Sequence, residues 1–176
     1  KRRFQEIVSS VSRAAVPLGP YTVTADAYPV IEDFTVSVPG YAVRQKDRLT
    51  LDLPGIMRAL SGVTGDERFN PLLRDTFVRR SEKVEVVLPA GVRSIEAMPP
   101  ESLRFDVAGA GEITSRTTVV PPNENKEQPG RMRLVVEQRV DLKPLLVLPE
   151  GYDSLLEIHR AISHPRMRTV AVRMVE

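Results

Sequence analysis

A mainly β fold is what this sequence predicts: an antiparallel β-sandwich with one packed α-helix near the C-terminus and a short N-terminal helix. Three observations carry that reading. Apolar and polar residues alternate in Phe34-Thr35-Val36-Ser37-Val38, Leu49-Thr50-Leu51-Asp52-Leu53 and Leu103-Arg104-Phe105-Asp106-Val107. This period of two suits a strand with one face in a core and the other in water. The alternation runs longest across Met132, Leu134, Val136, Gln138 and Val140. A single later segment instead carries Tyr152, Leu155, Leu156, His159 and Ile162 on one helical face, and His164-Pro165 closes it.

Taken in order, Phe4, Ile7, Val8 and Val11, with Ala14 and Ala15 beyond, have the spacing of a short helix that Pro17, Gly19 and Pro20 end. Such a short helix is marginal in water and needs something to pack on. Strands are predicted at Tyr21–Tyr28, Asp33–Val38, Tyr41–Arg44 and Arg48–Leu53, with turns at Pro29, Pro39-Gly40 and Lys46-Asp47. Pro54-Gly55 opens a short helical turn through Ile56, Met57 and Leu60, and Ser61–Pro71 is a connection rich in glycine and charge.

The second half predicts strands at Thr76–Val78, Val84–Leu88, Val92–Ala97, Leu103–Val107, Ile113–Val120 and Arg131–Leu142. Pro121–Gly130 has the composition of an exposed, mobile hairpin tip. Leu145–Leu148 is a short apolar run before Pro149, and Met167–Val175 returns as a strand. Residues 1–18 are therefore assigned to a helical segment ending a preceding region, and 19–176 to one sandwich domain. The alternative divides the latter into two small β-domains near 61–71.

Composition narrows the function classes. A chain of 176 residues buries roughly 70% of its unfolded surface on folding, enough for one large sandwich or two small domains. Twenty-five basic residues are interspersed with 23 acidic ones, for a formal charge of +2. That mixture argues against a nucleic-acid partner, since no basic stripe stands out. No run approaches the roughly 20 apolar residues of a membrane span. Zero cysteines exclude disulfides, thiolate metal sites and a cysteine nucleophile within this sequence. The chain starts at Lys1, and Lys1-Arg2-Arg3 is not followed by a signal-type apolar region. The expectation is a piece of a longer protein.

Candidate chemistry is sparse. His159 sits within the apolar stripe of the helix, which favours a packed, hydrogen-bonded histidine over a catalytic one. His164 lies about 140° further round the same helix and reads as part of its closing turn. Ser154, Asp153 and His159 do not make a triad, because a serine five residues from the histidine points elsewhere and no Gly-x-Ser-x-Gly elbow exists. Gly109-Ala110-Gly111 reads as a hairpin turn rather than a phosphate loop. The acidic residues are scattered without calcium-loop spacing. No catalytic, cofactor-binding or metal-binding residue is assigned, and no cofactor is expected. Arg74, Arg79 and Arg80, with Arg131, Arg133 and Arg139, would make a basic face for carboxylate or phosphate groups if their strands are neighbours. The wet side of a sheet is the competing reading.

A longer pattern begins at Glu67-Arg68-Phe69-Asn70-Pro71-Leu72. It continues through Val84-Glu85-Val86-Val87-Leu88-Pro89-Ala90-Gly91, Ile95-Glu96-Ala97-Met98-Pro99 and the strand Arg131–Leu142. Pro149-Glu150-Gly151-Tyr152, a helix and an apolar last strand end it. This resembles the C-terminal β-domain that follows the papain-like core in bacterial transglutaminase-like proteins. The resemblance covers about Tyr21 to Glu176, best from Arg68 onward. It implies a non-catalytic accessory domain that packs on, or presents substrate to, the catalytic core of its parent chain. It also implies extracytoplasmic placement in a bacterium. The family's catalytic cysteine, histidine and aspartate lie in that core, so none of those roles carries over to a residue here. An independent protein- or polysaccharide-binding module is the alternative, although four Tyr, five Phe and no Trp offer little for sugar stacking.

Overall fold

The computed structural model describes residues 5, 8, 12–24, 31–53, 60, 63, 68–107, 109–127 and 129–175. The chain forms two compact units, Lys1–Val43 and Arg44–Glu176. This division falls between the two positions, 18/19 and 61–71, at which the sequence suggests one.

The first unit holds β1 (Val16–Pro17), β2 (Thr22–Thr24), β3 (Ile31–Asp33) and β4 (Val36–Ser37). β1 pairs antiparallel with β4, and β2 with β3. The predicted strand Asp33–Val38 is thus divided between two partners. Gln5 and Val8 are helical, and the other residues of the predicted N-terminal helix up to Val11 lie outside the described set. Ala14 is not helical as expected: the Ser12 side chain accepts a bond from the Ala14 amide at 3.1 Å, and the chain turns there. A serine that bonds the backbone two residues on competes with the helix and ends it before Pro17 is reached. The end of the predicted strand Tyr21–Tyr28, the Pro29 turn and the helical turn after Pro54 also lie mostly outside the described residues.

The second unit contains β5 (Val43–Gln45, which begins on the last residue of the first unit), β6 (Arg48–Asp52), β7 (Leu72–Arg74), β8 (Val78–Val87), β9 (Val92–Ala97), β10 (Ser102–Val107), β11 (Gly111–Val120), β12 (Arg133–Leu142), β13 (Leu145–Val147), α1 (Tyr152–Ser163) and β14 (Thr169–Met174). They form a long four-stranded sheet in the order β10-β11-β12-β8, a shorter one in the order β5-β6-β14-β9, and a two-stranded ribbon β13-β7. All pairings are antiparallel. β6 joins β14 and β9 in one sheet, so strands before and after residues 61–71 belong to a single structure.

Strand β12 organises both cores. Leu134, Val136, Gln138, Val140 and Leu142 are all buried and alternate with more accessible residues, so they share one face. At one end, Leu134 and Val136 pack with Val170 and Val172 of β14, with β6 residues Leu49 and Leu51 alongside. This is the sandwich. At the other end, Val140 and Leu142 pack with Ile113 and with Tyr152, Leu155, Leu156 and Ile162 of α1. The helix thus covers the half of the inner face that the second sheet leaves open. Between the two clusters lies a polar belt, where Gln138 donates to Ser115 Oγ at 3.4 Å.

Three differences from the sequence reading have physical causes. β8 is one strand of 10 residues, where two short ones, Thr76–Val78 and Val84–Leu88, are predicted. Arg79 to Lys83 are polar on both faces and show no period, and the ladder to β12 carries the strand through them. β7 and β13 are too short to show a period at all. The tip Pro121–Gly130 is exposed over most of its described residues, as expected, but Asn125 is buried and its Nδ2 donates to the Arg131 carbonyl at 2.9 Å, a contact the tip's polar composition does not announce. Gly109 and Gly111 form the predicted turn between β10 and β11, both with positive φ. At Gly111 the reason is also steric, since a Cβ there would stand 2.0 Å from the Asp141 carbonyl oxygen.

Candidate functional site

The outer face of the long sheet is a lattice of paired charges. Odd-numbered residues of β8 and β12 and even-numbered ones of β11 and β10 point outward, as the register requires. Asp141 meets Arg79 and Arg139, each at 3.2 Å. Arg104 meets Glu112 at 3.1 Å and Asp106 at 3.3 Å. Arg133 reaches Glu85 at 2.9 Å and Glu127 at 3.0 Å. Lys83 pairs with Glu85 on the same strand face. The hydrogen bond from Lys83 holds the Glu85 carboxyl below the usual carboxylate range, with Arg133 adding to the effect. Reciprocally, the bond to Glu85 and its charge raise Lys83 above the usual lysine value. A shallow depression of about 620 Å³ lies between Lys83, Arg104, Arg116, Glu137 and Arg139.

The arginines singled out from the sequence do not assemble into one basic face. Arg79 and Arg133 lie on the outer face, each neutralised by carboxylates. Arg80 points to the opposite face, where it pairs with Glu82. Arg74 belongs to the β7–β13 ribbon, opposite Leu145. Arg131 precedes β12, and its carbonyl receives the Asn125 bond. Exposed pairs of this kind contribute about 0–1 kcal/mol each, so the lattice sets surface character more than stability.

His159 is half-buried on α1, and its Nδ1 is shielded from water with no hydrogen-bond partner. The hydrogen-bonded packing expected for it is not formed at that atom. His164 sits in the helix-ending turn, with Nδ1 accepting from the Arg166 amide at 3.2 Å. Asp153 and Ser154 are exposed on α1. Among the described residues, no three His, Asp or Glu side chains gather where they could hold a metal ion.

Two apolar hollows flank the β7–β13 ribbon. A cavity of about 310 Å³ lies among Leu60, Val63, Leu72, Leu142 and Leu155, with Arg74 and Lys143 also lining it. A groove of about 360 Å³ runs beside β13 and over α1, bordered by Leu146, Leu148, Glu150, Ser154 and Ile158. On the outward face of the ribbon, Leu73 and Leu146 oppose each other in register and are 69% and 59% exposed. Phe69 and Phe77, on either side of β7, are 85% and 72% exposed. Isolated exposed apolar residues are ordinary, and here four of them lie on or beside one short ribbon.

The apolar residues of these hollows and of the ribbon's outward face are not site candidates on sequence grounds. The signal was present in Leu145-Leu146-Val147-Leu148, between Pro144 and Pro149. A strand buries only alternate residues on one face, so four consecutive apolar ones leave some facing outward. Compared with known proteins, the chain matches no family model, no curated protein and no solved structure.

Proposed function

We propose that this chain is a non-catalytic accessory β-sandwich module of a bacterial, extracytoplasmic transglutaminase-like protein. It packs on the catalytic core of its parent chain or presents substrate to it. The observation that best supports this is the apolar outward face of the ribbon, Leu73 and Leu146, with Phe69 and Phe77 nearby. Covering such a surface is favourable by roughly 25 cal/mol for each Å² removed from water. Charged side chains on the long sheet are engaged with one another, as suits a surface that holds position rather than reacts. The motif pattern from Glu67 to the last strand supports the family assignment.

Assay of the whole parent protein tests this reading, using amine incorporation into a glutamine peptide and amide hydrolysis. Replacing Leu73→Glu together with Leu146→Glu is expected to lower turnover several-fold, while this chain alone turns over nothing. Turnover by the isolated chain would overturn the proposal. So would a parent sequence without cysteine, histidine and aspartate in papain-like order. A second reading, an independent protein- or polysaccharide-binding module, is favoured in its protein-binding form by the groove beside β13.

A further inference from the structure

The groove beside β13 is framed by two strand edges. Among the described residues, β13 pairs only with β7, and β10 only with β11. Four consecutive residues, Leu145 to Leu148, border the groove. Alternate side chains of a strand point to opposite faces, so neighbours in sequence border one hollow only along the strand's edge. Asp106 and Val107, at the end of β10, also line it, as do Ser154, Leu155 and Ile158 of α1. Alternate backbone N–H and C=O groups of β13 point away from β7 and, among the described residues, meet no further strand. Its volume of about 360 Å³ falls at the small end of binding clefts. Of the two ionisable residues lining it, Asp106 turns its side chain to the outer face and pairs with Arg104, and Glu150 supplies a carboxylate.

We propose that this groove binds an extended segment of a partner polypeptide, which adds as a third strand to the free edge of β13. The segment carries apolar side chains at alternate positions, to fill the hollow over Leu155 and Ile158, and a lysine or arginine that meets Glu150. Strand addition of this kind draws affinity from main-chain hydrogen bonds and selectivity from pockets for alternate side chains. A two-stranded ribbon is marginal by itself, so a third strand also stabilises the host. A purely apolar chain is a poorer occupant, because it would cover backbone donors and acceptors without satisfying them. The inference rests on the groove alone and stands whether or not the parent protein is transglutaminase-like.

The test uses the full chain and an array of soluble peptides, each roughly eight residues long, within the ordinary span of strands. They carry Val, Ile, Leu or Phe at alternate positions, Thr between them, and Lys at both ends. Members of the array are expected to bind saturably by fluorescence anisotropy and to slow hydrogen exchange at the Leu146 amide. N-methylation of alternate peptide amides should weaken binding roughly tenfold or more. Glu150→Lys should weaken it several-fold, and Ser154→Trp, at an exposed helix position, should block the groove without unfolding the chain. Circular dichroism checks that both variants keep their strands. No binder in the array would overturn the proposal, as would equal binding of the N-methylated peptides. Decylammonium binding in the groove where no peptide binds would show an amphiphile site instead, and Asp-ended peptides binding as well as Lys-ended ones would remove the basic residue.

Discussion

Individual side chains set several limits on this fold. Gly111 combines a φ of 136° with the closest backbone approach among the described glycines. Gly111→Ala is expected to cost about 3 kcal/mol or more, through strain and collision with Asp141, measured as a lowered urea midpoint. A change under about 0.5 kcal/mol would show that the β11–β12 ladder yields locally. Glu85 makes a different kind of prediction. Its carboxyl is held below the usual range in the folded state by Lys83 and then Arg133. Between the ordinary carboxylate value and that depressed one, the unfolded chain takes up a proton that the folded chain refuses. This contribution is complete above the ordinary value and fades as pH falls through the folded one. Glu85→Gln should therefore flatten the acid side of the stability-versus-pH curve in that window. An unchanged slope would mean that the exposed pair is silent.

Among the elements, α1 and the polar belt make opposite predictions. Leu155 and Leu156 are buried against the long sheet, so Leu155→Ala should cost about 3 kcal/mol. Leu73→Ser, on the exposed ribbon face, should stay within about 0.5 kcal/mol. Equal losses in thermal denaturation would contradict the assigned burial. Within the belt, Gln138 Oε1 and Thr117 Oγ1 are buried without partners. Replacing Gln138→Leu together with Ser115→Ala removes one of those orphans and joins the two apolar clusters. Stability should rise by about 1 kcal/mol, and a fall would mean the belt is satisfied in solution. The legibility of the elements followed how far each is governed by its own residues. β6, β10, β11, β12 and α1 announce themselves because each turns one face inward over enough residues to reveal a period, while β9 and β14 show less regular burial and are marked by their β-branched and apolar residues. β8 is concealed by Arg79 to Lys83, whose conformation is dictated by pairing with β12. β7 and β13 are defined by each other, so neither segment alone could disclose them. The arginine face failed for the same reason: which side of a sheet a residue occupies depends on parity and register. The groove was hidden because an edge exists only once its neighbours are placed.

For the whole molecule, the two compact units and the two cores do not coincide. Both apolar clusters lie within Arg44–Glu176. Removing residues 1–42 should therefore leave a chain that unfolds cooperatively, with its strand signal in circular dichroism intact. Loss of that cooperative transition would show that the first unit completes the fold. Native-state hydrogen exchange should be slowest in β12, which is paired on both edges along its full length and reaches both clusters. That double attachment also governs fidelity of assembly. A slip of one position in β12 would exchange Leu134, Val136, Gln138, Val140 and Leu142 for Val135, Glu137, Arg139, Asp141 and Lys143. Carboxylates and a guanidinium would then enter both interiors at the same instant. Misaligned conformers are penalised twice over, so a chain with no covalent crosslink available to it still proofreads its own alignment.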